Sequence, residues 1–341
     1  MYNVSIIGAG SWGTAIAILL AKKGCNVKQW VRRPELCSQI RETKENVTYL
    51  PGVVIPSNID ISSDLEYCCK DSKILVVATP SHAVRETVTS MKAYIDNDQI
   101  IVSIAKGIEN ETLLRMSQIV EIILPNNKVA VLSGPCHAEE VAKDIPTAIV
   151  CSARERIIAE YVQDVFMTPK FRVYTNPDMI GVELGGALKN IIAIGAGVID
   201  GLGFGDNTKA ALMTRGIVEI SRLGESLGAK KDTFAGLSGI GDLIVTCTSM
   251  HSRNRRAGIA LGEGKSLDEF LGGTSMVVEG VRTTKSAYDL ARKMNVEMPI
   301  TQEIYNLLFN KADIRNSVIN LMMRAKTHET EDVAEINGIE W

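Results

Sequence analysis

The fold of this chain is decided near its start by the stretch Val4-Ser5-Ile6-Ile7-Gly8-Ala9-Gly10-Ser11-Trp12-Gly13. This stretch places G-x-G-x-x-G directly after an apolar run, and a helical pattern follows over Thr14–Lys23. A strand, a glycine turn and a helix in this order are typical of a dinucleotide-binding βαβ unit. The first glycine permits the tight turn, the second lets the backbone approach a pyrophosphate, and the third lets helix and strand pack closely. A glycine-rich turn without a ligand is the alternative interpretation.

Short apolar runs alternate with helical patterns through the first half of the chain. Runs rich in Ile, Val, Leu and Ala over their whole length suit strands that are covered on both faces. Strands that alternate with helices, such as the one predicted over Thr112–Ile123, indicate a mainly parallel, doubly wound sheet. The predicted strands are Val4–Gly8, Val27–Val31, Lys73–Ala78, Gln99–Ile104, Lys128–Leu132, Thr147–Cys151 and Phe171–Thr175.

The pattern changes at Asn176-Pro177-Asp178, where strand signals end and helical periodicity takes over. Proline disfavours a helical conformation in the residue before it, and Asp178 is suited to cap the next helix. We therefore predict a Rossmann-type α/β domain over residues 1–177 and an all-helical substrate domain over residues 178–341. The predicted helices of the second domain are Met179–Ile199, Thr208–Leu227, Arg255–Leu261, Gly280–Met294 and Thr301–Leu308.

Composition excludes several classes of protein. The 341 residues suit about two domains. Lys and Arg number 37 against 40 Asp and Glu, a net charge of −3, which argues against a nucleic-acid partner. No apolar run reaches the length of a membrane span, and the first residues lack the basic region of a secretory signal. Seven cysteines without a C-x-x-C pair are interpreted as reduced thiols of a cytoplasmic protein, with no metal site.

The end of the second predicted strand bears on the choice of cofactor. An NAD-selective site places Asp or Glu there to bind the ribose 2′-hydroxyl, but this chain has Arg32 and Arg33. Guanidinium groups suit a 2′-phosphate, which favours NADP(H), with NAD(H) as a further cofactor. Two solvated surface arginines are the alternative interpretation.

Polar residues follow other predicted strands. Lys106 comes directly after a buried strand, so its ammonium is expected to face the cofactor crevice. His82 and His137 are also placed at strand ends, but structural histidines are the commoner outcome, and neither is assigned a role.

The helical half contains two further polar groups of interest. Lys189 lies within a long, largely apolar helix, where an ionisable group is suited to acid–base chemistry; a side chain that reaches solvent or pairs with Glu183 is the alternative. Asp242 follows a glycine-rich loop and is suited to cap the next helix. The run Ser252-Arg253-Asn254-Arg255-Arg256 concentrates donors that suit a phosphate, although a basic helix start on the surface would look similar.

Taken together, these segments closely resemble the bacterial NAD(P)-dependent glycerol-3-phosphate dehydrogenases over nearly the whole chain. The matching motifs are GAGSWGTA, the lysine-glycine after the fourth strand, SGP, ELGGALKNIIAIGAG, GLSGIGDLIVTC, SRNRRAG and MVVEGVRT, in order and spacing. The resemblance implies reversible hydride transfer between NAD(P)H and C2 of dihydroxyacetone phosphate, which gives sn-glycerol 3-phosphate for phospholipid synthesis.

The resemblance also implies residue roles. Lys189 is expected to donate or accept the proton at the C2 oxygen, and Lys106 to bridge cofactor and substrate. The other residues expected at the substrate are Gly134, Cys136, Asp242, Ser252, Arg253 and Asn254. Those expected at the cofactor are Gly8, Gly10, Ser11, Trp12, Gly13, Arg32, Arg33, Lys106, Ala138, Arg253, Val277 and Glu279.

One pair of residues departs from the family pattern. After SGP the family usually has Ser or Thr and then Phe, whereas this chain has Cys136 and His137. A thiol is a weaker hydrogen-bond partner than a hydroxyl, so a substrate contact at position 136 is expected to run through the backbone or to be expendable. A dehydrogenase for a hydroxy acid or sugar acid, and a cofactor-sensing protein without catalysis, are the competing functions. The small residues of the helical domain also suit a homodimer.

Overall fold

The computed structural model describes residues 2–272, 277–326 and Glu329. The end of the predicted second domain, from Thr327 onward apart from Glu329, therefore lies outside the described residues. The strands are β1 (Asn3–Ile7), β2 (Asn26–Trp30), β3 (Glu45–Asn46), β4 (Leu50–Val54), β5 (Ile59–Ser62), β6 (Ile74–Val77), β7 (Ile100–Ser103), β8 (Lys128–Ser133), β9 (Thr147–Ala153) and β10 (Phe171–Asn176).

Eight of these strands form one twisted sheet in the order β10-β9-β8-β7-β6-β1-β2-β5. All neighbours pair in parallel except β8 and β9, which are antiparallel. All seven predicted strands and the mainly parallel, doubly wound sheet are confirmed. Sequence reasoning missed β5 at the edge of the sheet and the separate β3–β4 hairpin.

Helices cover both faces of the sheet, so its central strands are buried. The helices of this half are α1 (Ser11–Lys23), α2 (Pro34–Thr43), α3 (Leu65–Cys69), α4 (Val84–Met91), α5 (Met116–Ile123), α6 (Ala138–Ala142) and α7 (Arg156–Phe166). Every residue of β6 and β7 is buried. Apolar side chains from the two faces of the sheet form two separate clusters. The helix predicted from Thr112 begins later, at Met116, because the chain first makes a turn that is closed by pairing between Ile108 and Arg115.

The second half of the described chain is helical. Its helices are α8 (Met179–Gly201), α9 (Asp206–Ser226), α10 (Lys231–Phe234), α11 (Asp242–Thr248), α12 (Arg253–Gly262), α13 (Leu267–Gly272), α14 (Glu279–Met294), α15 (Pro299–Phe309) and α16 (Ile314–Met322). A single π-helical turn, Leu237–Gly241, leads into α11.

Helix α8 is the centre of this half. Asp178 caps it as predicted, since its Oδ1 accepts a hydrogen bond from Gly181 N at 2.9 Å. Among the described residues, α8 is the one helix that is long and apolar enough to cross a membrane. Its apolar segment, however, is wholly buried within the protein. Small residues let α12 cross α8 closely: a Cβ on Gly258 would overlap the carbonyl oxygen of Ile194.

A buried carboxylate joins the two halves. Glu183 of α8 accepts hydrogen bonds from Ser117 N at 2.8 Å and Ser117 Oγ at 2.6 Å, at the start of α5. It also forms an ion pair with Arg115. Glu183 therefore satisfies N-terminal donors of a helix in the sheet half while it is part of the helical half.

Candidate active site

A cleft of about 380 Å³ lies between the sheet and the helical half. It opens at the carboxyl ends of β1 and β6, where the order of strands along the sheet reverses. Open α/β sheets bind ligands at this point, because the loops after the two strands diverge there. The cleft is therefore where the fold itself predicts a ligand.

The glycine turn forms one wall of the cleft. Gly8 has φ +131°, and a Cβ there would lie 2.8 Å from Ala78 O. A Cβ on Gly13 would lie 2.5 Å from Gly8 O, whereas Gly10 has open space around it. The three glycines thus have the separate uses that the sequence predicts: a turn, an open approach for a ligand, and close packing of α1 against the turn.

Arg32 and Arg33, which follow β2, also line the cleft. Arg33 donates to the hydroxyl of Tyr49 at 3.2 Å, and its guanidinium lies over that ring, 5.8 Å from the centroid. Tyr49, which sequence reasoning missed, lies between β3 and β4 and also lines the cleft. Its long-range contact with Arg33 has no signal in the sequence. The arginines line the cleft, but both side chains are exposed, so the choice between a cofactor contact and a solvated surface group stays open.

Two lysines share one buried carboxylate at the centre of the cleft. Lys106 Nζ, at the end of β7, donates to Asp242 Oδ2 at 2.8 Å and to Gly134 O at 3.0 Å. Lys189 Nζ, from the middle of α8, forms an ion pair with Asp242 Oδ1 and donates to Thr246 Oγ1 at 2.6 Å. Asp242 is fully buried. The arrangement joins the two halves through a lysine–aspartate–lysine cluster.

Burial and charge separate the pKa values of these lysines. Burial disfavours the ammonium form of Lys189, and the nearby charge of Lys106 adds to this effect. Together they outweigh the attraction of Asp242 and lower the pKa of Lys189 to about 8. Lys106 is also desolvated, but its contact with Asp242 outweighs burial and raises its pKa. Lys189 can therefore gain and lose a proton near neutral pH, while Lys106 stays charged.

Two alternatives from the sequence are wrong. Glu183 does not pair with Lys189, because six positions along a helix place them on different faces; it contacts Arg115 and Ser117 instead. Asp242 does not cap α11: it is the first residue of that helix, and its carboxylate binds the two lysines.

The predicted phosphate-binding run divides between the cleft and the helix surface. Ser252, Arg253 and Asn254 line the cleft at the start of α12. Asn254 Oδ1 accepts from Gly280 N at 2.9 Å, and its amide nitrogen donates to Asn190 at 2.8 Å. Arg255 points elsewhere, because its Nε donates to Asp200 at 2.8 Å.

The remaining predicted residues lie in and around the cleft. Val277 and Glu279 line it, and Arg253 donates to Val277 O at 3.1 Å. Glu279 also accepts hydrogen bonds from Ser81 N at 3.0 Å and Ser81 Oγ at 2.5 Å, a third link between the halves. The lining residues include Ser11, Trp12 and Cys136, but not Gly13, Gly134 or Ala138, which lie behind the surface.

Three more polar residues were missed: Thr246 and Asn190, which line the cleft, and Ser81, which binds the lining residue Glu279. Thr246 lies one helical turn after Asp242, a spacing that could have indicated it. Asn190 and Ser81 act through partners more than sixty positions away, which no local pattern shows. Of the histidines, His82, His137 and His251 line the cleft, and the rings of the last two lie 5.6 Å apart. Within the ranges that the structure describes, no group of three His, Cys, Asp or Glu side chains is placed to hold a metal.

A dinucleotide-type sheet whose ligand cleft ends at a buried lysine of lowered pKa defines a class, the two-domain nicotinamide-dependent oxidoreductases. Comparison with known proteins identifies the family. Residues 3–159 match the family described as "NAD-dependent glycerol-3-phosphate dehydrogenase N-terminus", and residues 178–319 match the family of the corresponding C-terminus. The chain belongs to the NAD(P)-dependent glycerol-3-phosphate dehydrogenases, as the sequence motifs predicted.

Individual relatives agree over the whole chain. It is 58% identical over 330 residues to glycerol-3-phosphate dehydrogenase [NAD(P)+] of Moorella thermoacetica, with 96% of this chain and 98% of the relative covered. The enzyme of that name from Pelotomaculum thermopropionicum is 56% identical, with 97% and 96% covered. A crystal structure of glycerol-3-phosphate dehydrogenase from Coxiella burnetii superposes with a TM-score of 0.92 at 38% identity, with 95% and 99% covered. The family reduces dihydroxyacetone phosphate to glycerol 3-phosphate with NAD(P)H.

Proposed function

We propose that Lys189 is the acid–base residue of this reaction. One observation supports it above all: Lys189 is a buried lysine of lowered pKa in the cleft, held by Asp242 and Thr246. In the reductive direction its ammonium protonates the oxygen that develops charge at C2; in the oxidative direction its neutral amine takes the hydroxyl proton. A group whose pKa lies near the working pH is suited to both steps.

The residues of the glycine turn fit a nicotinamide dinucleotide. Gly10 leaves open space where a pyrophosphate would approach, and two buried atoms in this wall, Trp12 Nε1 and Thr79 Oγ1, have no hydrogen-bond partner in the described structure. When bound, the reduced cofactor supplies the hydride. We assign the cofactor contacts to Gly8, Gly10, Ser11, Trp12, Gly13, Arg32, Arg33, Lys106, Ala138, Arg253, Val277 and Glu279, with Gly13 and Ala138 acting through packing and backbone.

We assign the substrate phosphate to Ser252, Arg253 and Asn254. These side chains converge on one side of the cleft, and Arg253 and Asn254 are donors to an anion. Lys106 remains charged beside Asp242 and stabilises negative charge at the C2 oxygen. Asp242 positions both lysines, and Gly134 and Cys136 close the site around Lys106.

The finer assignments complete the proposal. The boundary between the cofactor and substrate domains lies at residues 177/178, between β10 and α8. The seven cysteines are all free thiols, six of them buried, which suits a cytoplasmic enzyme. The product of the enzyme supplies glycerophospholipid synthesis. The helical domain forms a homodimer, and light scattering tests this oligomeric state.

The test is the loss of reduced-nicotinamide absorbance with dihydroxyacetone phosphate, with NADPH and NADH compared. We expect rapid oxidation, faster with NADPH. Lys189→Ala should reduce kcat by at least the ~10²-fold typical of a lost acid–base group. Lys285→Ala, which alters an exposed lysine of α14, is the matched control. Undiminished turnover in Lys189→Ala would contradict the assigned role, and Arg32→Ala with an unchanged NADPH-to-NADH ratio would contradict the 2′-phosphate assignment.

A further inference from the structure

One buried hydrogen-bond acceptor among the residues that line the cleft has no function in the roles assigned above. Among the described residues that line the cleft, three buried side-chain atoms lack a partner: Trp12 Nε1, Thr79 Oγ1 and His137 Nε2. An indole nitrogen only donates, and a hydroxyl does both. The backbone of Val245 lies beside the His137 ring and favours a proton on it, while Nε2 has no hydrogen-bond partner in the described structure. With its proton on Nδ1, the neutral ring leaves the lone pair of Nε2 unpaired in a residue that lines the cleft.

A free hydrogen-bond acceptor at His137 is unusual because most of the polar groups around it are donors. The cleft residues nearest the reaction are mostly donors: Lys106, Lys189, Arg253, Asn254 and Ser252. Both oxygens of Asp242 are already occupied by the two lysines. Burial, and then the charge of Lys189, lower the pKa of His137, which favours the neutral ring. A ligand donor that enters this part of the cleft thus finds His137 Nε2 as its free buried acceptor.

The position of His137 is fixed by its backbone. His137 precedes α6, and its carbonyl oxygen accepts from Val141 N at 3.1 Å. Its ring contacts α11 at Val245, next to Thr246, the residue that binds Lys189. The imidazole is therefore held at the same helical turn that holds the proposed acid–base group.

The chemistry of the substrate identifies the donor. In dihydroxyacetone phosphate the phosphate dianion and the C2 carbonyl accept hydrogen bonds, and the primary hydroxyl is the one group that donates. We propose that His137 Nε2 accepts a hydrogen bond from this hydroxyl and so favours binding of the hydroxylated ketone phosphate over its deoxy analogue. The inference rests on the proposed function of the site. It makes His137, where the family pattern has Phe, a specificity-determining residue of this chain.

The test compares two ligands that differ by this hydroxyl. Dihydroxyacetone phosphate is the substrate. Hydroxyacetone phosphate, which has a methyl group in place of CH₂OH and keeps the C2 carbonyl, is a competing ligand, and its Ki is its apparent inhibition constant against dihydroxyacetone phosphate. His137→Phe keeps the ring and removes the acceptor. We expect KM for dihydroxyacetone phosphate to rise about three- to tenfold, the range of one lost neutral hydrogen bond, while Ki for the deoxy analogue stays within about twofold. His137→Gln, whose amide oxygen accepts, should recover part of the lost affinity.

A matched control is His251→Phe, which alters the other ring of the pair; its side chain is exposed. It should leave the ratio of KM to Ki unchanged within about twofold. An equal loss for both ligands in His137→Phe would overturn the proposal in favour of a phosphate or packing role. A rise confined to KM for NADPH would assign Nε2 to the cofactor, and would also overturn it.

Failure of the proposed function gives a different result. If the unaltered enzyme does not turn over dihydroxyacetone phosphate, the reaction itself is contradicted. Calorimetric titration of the folded protein and NADPH with the two phosphates then still compares their binding. Equal Kd values in the unaltered enzyme would contradict the His137 contact independently, and tighter binding of the hydroxylated ligand that is lost in His137→Phe would support it.

Discussion

At the residue scale, the carboxylate of Asp242 sets the proton affinity of Lys189. The neutral amine is the base in oxidation, so glycerol 3-phosphate oxidation should rise with pH through about 8, the pKa of Lys189. Reduction needs the ammonium and should fall above the same pH. Since Asp242 raises the pKa of Lys189, Asp242→Asn should move both limbs to lower pH.

The measurement is the pH profile of kcat/KM in both directions, which reports groups of the free enzyme. Asp242→Asn also lowers the rate, because both lysines lose their partner. The relevant result is therefore the pH at which kcat/KM changes, and not the maximal value of kcat/KM. A limb that stays in place would mean that Asp242 does not control the proton on Lys189.

Cys136 is a second residue whose environment gives a prediction. Its Sγ donates to Gly134 O at 3.0 Å, so the thiol proton is directed at the backbone and not into the cleft. Serine offers the same donor, and Cys136→Ser should change KM for dihydroxyacetone phosphate by no more than about threefold, as for a hydrogen bond retained. Steady-state kinetics checks this, and a larger fall in KM would indicate a missing hydroxyl contact with substrate.

At the element scale, the crossing of α8 and α12 holds Lys189 and the phosphate-binding residues together. A Cβ on Gly258 would overlap the Ile194 carbonyl oxygen, and backbone cannot move aside as a flexible side chain does. Gly258→Ala should therefore destabilise the protein by about 1–3 kcal/mol, although alanine is the better helix former. Urea unfolding measures the change.

The control for this substitution is Gly272→Ala at the end of α13, where a Cβ would meet no atom of the described residues within 4 Å. We expect a change within about 0.5 kcal/mol there, as for an ordinary surface substitution. Equal effects at both positions would mean that the close crossing of α8 and α12 does not limit stability.

The elements that sequence reasoning predicted are those with long, uniform patterns. Strands β1, β6 and β7 are buried on both faces and read as continuous apolar runs, and α8 reads as a long apolar helix. Strand β4 was missed because Pro51 and Gly52 are turn signals within it. Strand β5 has four residues, too few for a period to be distinct.

The site was predictable to a similar extent. Lys106 follows from its place at a strand end, and Lys189 from a charge within an apolar helix. The sharing of Asp242 by both lysines and the contact of Glu279 with Ser81 depend on how the halves meet. The contact of Tyr49 with Arg33 depends on how the segment between β3 and β4 packs within the sheet half. Such distances between remote residues are set by packing, which the sequence does not display.

At the scale of the whole molecule, Glu183 joins the halves at a buried position. Its carboxylate binds Arg115 and the start of α5, and removal would leave a buried cation and helix donors unpaired. Glu183→Ala should cost about 3–5 kcal/mol, the range for breaking a buried ion pair. We expect its calorimetric unfolding transition to divide into two, one for each half.

The matched control is Glu121→Ala on α5, which breaks the exposed pair with Arg154. An exposed pair contributes about 0–1 kcal/mol, so the transition should remain as in the unaltered protein. One cooperative transition in Glu183→Ala, at the original temperature, would show that other contacts suffice to couple the halves.

The number of protons bound at the site depends on the distance between the two halves. Lys106 belongs to the sheet half, whereas Lys189 and Asp242 belong to the helical half. Any widening of the cleft would take the charge of Lys106 away and admit water to Lys189, and both changes raise its pKa. If product release widens the cleft, Lys189 would regain its proton from bulk solvent more readily.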